Sequence, residues 1–184
     1  MNAVDRFIQR LRIRKAAPYV RAGDRLLDIG CYDGTFIEYV RSRVTRAVGI
    51  DQVAKPTEDV KVTILRGKVP GDPRLEPGSF DCVTMLAALE HFEDPVAVSR
   101  ECFRLLGPGG RLVMTVPHPV VDHIVGALVR LGVAEGMDLE AHHGFDVRTT
   151  EPMFTDAGFR LVTRRAFELG LNRLYVFEKP ADRA

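Results

Sequence analysis

Leu26-Leu27-Asp28-Ile29-Gly30-Cys31-Tyr32-Asp33-Gly34-Thr35-Phe36 reads as a buried strand that enters a tight turn and leaves it as a helix. Gly30 and Gly34 supply positions where a Cβ would block a close ligand or the first helical turn. Asp28 stands inside the motif, at the end of the strand. A carboxylate there repels a pyrophosphate and suits a cationic ligand bearing an amino group. The dinucleotide fingerprint GxGxxG also fails, because its second and third glycine positions hold Tyr32 and Thr35.

Outward from this turn, short apolar runs at residues 25–29, 47–50, 60–65, 80–86 and 111–116 have the length of buried strands. Residues 35–43 and 95–106 read as helices between them, and Gly107-Pro108-Gly109-Gly110 stops the second. This order predicts an α/β domain with a parallel sheet and crossover helices. Runs at 159–167 and 174–177 are separated by too few residues for a parallel crossover, so they pair as a hairpin and one runs antiparallel to the rest. An amphipathic helix opens the chain, with Val4, Phe7, Ile8 and Leu11 at helical spacing up to Pro18. Residues 1–25 carry seven basic side chains against two acids, a local charge of +5. A solvated face is the expectation, with contact to an anionic substrate or membrane surface as the alternative.

The 184 residues, 46% of them apolar, suffice for one domain burying about 70% of its unfolded surface. Lys and Arg total 26 against 25 Asp and Glu, a net charge of +1 that argues against a nucleic-acid partner. Cys31, Cys82 and Cys102 form neither a disulfide framework nor a CxxC site, which points to a reducing cytoplasm. No run approaches the length of an integral membrane span, and residues 1–17 lack the apolar centre of a signal peptide.

The turn at Asp28, Gly30 and Gly34 resembles the DxGxGxG turn of the class I methyltransferases, with Tyr32 in place of the middle glycine. The stretch from Ser79-Phe80-Asp81 through Leu89-Glu90-His91 to Asp94-Pro95 is similar to the small-molecule, type 11-like branch, as is Leu105 to Val113 around the Gly-Pro-Gly-Gly turn. The resemblance covers about residues 20–180. It implies a Rossmann-like three-layer sandwich with a seven-stranded, mostly parallel sheet and an antiparallel C-terminal hairpin strand. It also implies S-adenosyl-L-methionine as cofactor. In that frame Asp28, Gly30, Cys31, Tyr32 and Gly34 hold the amino-acid end. Asp51, 17 residues after Gly34, accepts the ribose hydroxyl protons, Gln52 and Val53 follow the adenine edge, and Leu86 to Leu89 flank the sulfonium. Lys68 stands where many members have an acid for the adenine amino group.

Methyl transfer asks the protein to align a nucleophile and, for a hydroxyl acceptor, to remove a proton. The candidate bases are His91, His118 in Pro117-His118-Pro119, and His142-His143, with His143 the expected member of that pair. Asp122, His123, Asp138, Glu140 and the His142-His143 pair are metal-ligand types, but their spacings match no metal motif and no metal is expected. Residues 1–184 are read as a single methyltransferase domain, with an amphipathic helix at 1–20 and a substrate-facing lid at 117–150. The expected acceptor is a small molecule methylated on oxygen or nitrogen, a glycan- or lipid-linked metabolite among the options, and the expected assembly is a monomer or homodimer. The alternative is a regulatory module that binds S-adenosylmethionine without turnover. A nicotinamide oxidoreductase is disfavoured by Asp28 and by the lack of a Tyr-x-x-x-Lys pair.

Overall fold

A strand covered on both faces needs apolar side chains at successive positions, and β1 (Arg25–Ile29) has them: every residue after Arg25 is buried. In the computed structural model, which describes residues 3–117 and 146–181, β1 lies at the centre of the sheet. It pairs in parallel with β2 (Arg46–Asp51), Leu27 opposite Val48, and with β5 (Phe80–Leu86), Leu27 opposite Val83. Outside these, β4 (Val62–Arg66) joins β2 and β6 (Leu106–Pro117) joins β5, both in parallel. β8 (Asn172–Glu178) runs antiparallel to β6, and β7 (Arg160–Phe167) antiparallel to β8. The C-terminal hairpin expected from its short connection is therefore present, and β8 is its reversed strand.

The sheet has eight strands rather than seven: with β3 (Thr57–Glu58) at one edge, the order is β3-β4-β2-β1-β5-β6-β8-β7. The addition is β3, two exposed residues antiparallel to the β4 edge and too short to leave a period in the sequence. β4 starts later than its apolar run, because Asp59 Oδ1 accepts the backbone N–H groups of Lys61 and Val62 at 2.7 and 2.9 Å and makes a turn there. Val60 is left fully exposed.

Helices cover both faces. α1 (Ala3–Ala16) and α2 (Thr35–Val40) lie on one side, where Ile13, Ala16, Phe36 and Ile37 pack with Leu26, Ala47 and Val113. α3 (Pro95–Leu105) and α4 (Thr150–Asp156) lie on the other, where Val98, Cys102 and Phe154 pack with Leu27, Met85 and Phe177. This is the three-layer arrangement. α3 starts where Asp94 caps it, its carboxylate accepting Ala97 N–H at 2.9 Å with Pro95 next in the first turn. It ends at Leu105, but the glycine run does not separate it from β6: the strand begins at Leu106 and passes through the glycines. Lys179 Nζ donates to the carbonyls of Phe103 and Leu106 at 2.8 and 2.7 Å, satisfying the helix end. In α1, Phe7 is exposed and burial sets in at Ile13, so the contact with the sheet is made by its C-terminal part. Among the described residues no helix is long and apolar enough to cross a membrane.

Candidate functional site

The chain lays β2 and β4 to one side of β1, then returns to lay β5 and β6 on the other. At such a reversal the loops after adjacent strands diverge and leave a crevice at their carboxyl ends. A cleft of about 420 Å³ opens there. Gly30 and Tyr32 from the turn after β1, and Asp51, Gln52 and Val53 after β2, form part of its wall. Gly67, Lys68 and Val69 after β4, and Ala87, Ala88, His91 and Phe92 after β5, form the rest. Ile29 and Ile50 line it as well.

The turn is held tightly. Gly30 has a φ of +74°, donates its N–H to Ile50 O at 2.9 Å, and leaves no room for a side chain, since a Cβ there would lie 2.7 Å from Ala88 Cβ. Tyr32 adopts a left-handed conformation with φ +49°, a backbone shape that suits the glycine it replaces. Its side chain is 58% exposed on the cleft wall. Ala87 is left-handed too, with φ +52°, and its N–H is fixed by Thr115 O at 2.9 Å. Two strained residues other than glycine thus face each other's loops across one cleft, the distribution expected where backbone shape serves a ligand.

Asp51 is the fixed acid of the cleft. Its Oδ2 accepts Tyr32 N–H at 3.1 Å and its Oδ1 accepts Val53 N–H at 2.8 Å. A carboxylate offers about four lone-pair positions, so two remain for further donors. Asp28 lies deeper. It is buried, Thr84 Oγ1 donates to its Oδ1 at 2.6 Å, and it does not reach the cleft wall. Burial pushes its carboxyl up to about 7, the Thr84 hydrogen bond pulls it back, and the charge of Asp51 adds to the rise. Cys31 is buried behind the turn against Gly49, where a Cβ would come within 2.8 Å of its Sγ, and burial raises its thiol above the ordinary range. That is a packing position.

Of the sequence candidates, Gly30, Tyr32, Asp51, Gln52, Val53, Ala87, Ala88 and His91 come together on the cleft wall, whereas Asp28, Cys31, Gly34, Leu86 and Leu89 are not part of it. Gly34 caps the start of α2 with φ +75°. Leu86 packs toward the α1 and α2 side, as Cys82 on the same face of β5 does, and the left-handed Ala87 follows it on the cleft wall with Ala88. His118 and His143 lie outside the described residues, as do His142 and the metal-type residues from Asp122 to Glu140. Among the described residues no group of three or more His, Cys, Asp or Glu is placed to hold a metal ion. Sequence reasoning passed over Val69 and Phe92, two apolar wall residues whose positions follow only from the loop paths.

The comparisons with known proteins agree with this geometry. The chain is 34% identical over 119 residues to a ubiquinone biosynthesis O-methyltransferase of Pseudomonas aeruginosa (strain UCBPP-PA14), covering 58% of this chain and 51% of that protein. It thus spans about half the length of the curated relatives it matches. An S-adenosylmethionine-dependent methyltransferase from Mesorhizobium loti superposes with a TM-score of 0.71 at 21% identity, over 91% of this chain and 96% of the other. A chain of the complex between the Haloferax volcanii Trm112 methyltransferase activator and a methyltransferase gives 0.73 at 17%, over 94% and 88%. Since residues 2–164 match the family model described as a methyltransferase domain, the chain belongs to the methyltransferase-domain family.

Proposed function

We propose that the protein is an S-adenosylmethionine-dependent methyltransferase that methylates a hydroxyl group of a small organic acceptor. The observation that carries this reading is the cleft at the strand reversal, with the tight Gly30 turn on one wall and the oriented Asp51 carboxylate on the next. The donor set fits the cofactor. Asp51 has acceptor capacity left for the two ribose hydroxyls. Ile50, Val53, Val69 and Phe92 give apolar surface for a flat base. The turn at Gly30 and Tyr32 receives the amino-acid chain, with the buried Asp28 carboxyl beneath it, whose charged form a nearby amino group would favour. Neither acid suits a pyrophosphate.

When bound, S-adenosylmethionine supplies a methyl group on a sulfonium whose departure leaves a neutral thioether. The chain's own work is to fix the two ends of that molecule, keep water from it, and receive the acceptor's proton. His91, on the cleft wall just beyond Ala87 and Ala88, is the described residue suited to take the proton. The names of the curated relatives favour oxygen over nitrogen as the methylated atom and a small molecule over a macromolecule. A single domain, working in the cytoplasm as a monomer or homodimer, completes the proposal; residues 118–145 of the lid expected at 117–150 lie outside the described residues. It is tested by incubating the protein with methyl-labelled S-adenosylmethionine and a panel of phenols and catechols. Label in an extracted small molecule is the expected result, and label transfer to none of them with the cofactor bound supports a binding module instead.

A further inference from the structure

A second concavity, of about 290 Å³, lies between the C-terminal end of α1 and the edge strand β7, and it shares no lining residue with the cofactor cleft. Arg14 and Lys15 of α1 and Arg165 of β7 line it, over a base made by Tyr19, Phe167 and Leu174. All three cations are exposed, and among the described residues none of them pairs with an acid. Each has an ordinary explanation alone. Cations in a last helical turn complement the helix dipole, and a charged residue on an edge strand deters pairing with another sheet. Neither explanation accounts for their convergence on one hollow. The single 3-10 turn that follows α1, Ala17–Tyr19, takes its cations from elsewhere: Arg43 Nη1 donates to Ala17 O at 2.8 Å and Arg111 Nε to Tyr19 O at 2.7 Å.

The hollow therefore carries three positive charges and no acid in its described lining. Two guanidinium forks and an ammonium suit the several oxygens of a multiply charged oxyanion. Its lining is otherwise largely apolar, with Pro18, Ala166 and the Tyr19 ring beside Phe167 and Leu174, so the anion's carrier has a surface to rest on. We propose that this hollow binds a phosphate group carried on an apolar body. The inference is independent of the methyl-transfer reading, because no residue is common to the two sites.

The test uses the full chain with three probes: inorganic phosphate, phenyl phosphate, and vesicles of equal parts phosphatidylglycerol and phosphatidylcholine. Phenyl phosphate is expected to bind about tenfold more tightly than inorganic phosphate, and Arg165→Gln or Arg14→Gln to weaken it about tenfold. Urea unfolding midpoints, measured on the same samples, should not change, which shows that the variants are folded whether or not the methyl-transfer reading holds. Vesicle binding lost in Arg165→Gln identifies a lipid headgroup as the source of the phosphate. Phenyl phosphate binding without vesicle binding identifies a soluble phosphorylated compound. Binding of none of the probes, or binding undiminished in both variants, overturns the proposal.

Discussion

At the scale of single residues, two carboxylates divide the work of the cleft by their depth. Asp51 is fixed by two backbone N–H groups and faces the cleft, so Asp51→Ala removes the acceptor proposed for the ribose hydroxyls and leaves the Tyr32 and Val53 amides without their partner. S-adenosylhomocysteine affinity, measured by calorimetry, should fall at least about tenfold, and unchanged affinity would place the ribose elsewhere. Asp28 is buried with a carboxyl raised to about 7, mainly by loss of solvent. As pH rises from about 4, the unfolded chain ionises this group while the folded chain keeps it protonated, so stability declines until about pH 7 and then levels off. Asp28→Asn keeps the oxygen that Thr84 bonds and removes the charge. Relative to the parent it should be equally stable near pH 4 and more stable above pH 7, by about 2–4 kcal/mol, in urea unfolding series. A parallel pH dependence in the two proteins would contradict the placement of Asp28. Both acids were legible in the sequence because each stands at or next to the last residue of a buried strand, but their depth was not. That depends on the left-handed turns at Tyr32 and Ala87, which the identities Tyr and Ala do not announce.

At the scale of elements, boundaries were legible where a side chain makes them. Asp94-Pro95 announces the start of α3, and the carboxylate caps it as the sequence implies. Asp94→Ala should cost about 1 kcal/mol of unfolding free energy by urea denaturation and leave S-adenosylhomocysteine affinity unchanged, since Asp94 is not on the cleft wall. A loss of affinity would tie α3 to the cleft directly. Boundaries made by backbone pairing were less legible. The glycines at 107, 109 and 110 read as a stop, yet they extend into β6 because the chain after β8 pairs there: Lys179 donates to Gly110 O at 2.8 Å and Gly109 to Lys179 O at 3.0 Å. β3 had no signature at all, two residues being below the reach of any period. In α1 the apolar spacing was genuine, but spacing alone did not say how far along the helix the sheet extends, and Phe7 lies on the exposed part.

At the scale of the whole molecule, the alternation of apolar runs with helices and the short final hairpin were sufficient for the layered sheet and its antiparallel end. The strand order carries the function. Reversal at β1 brings the loops after β1, β2, β4 and β5 to one edge, where they form the cleft from residues as distant in sequence as Gly30 and Phe92. The central claim is that this cleft holds a sulfonium nucleoside and rejects a dinucleotide. Calorimetric titration of the purified chain with S-adenosylhomocysteine, alongside NAD, tests it most directly. One site of micromolar affinity for S-adenosylhomocysteine and no heat of binding with NAD are expected. Binding of NAD, or of neither compound, would contradict it.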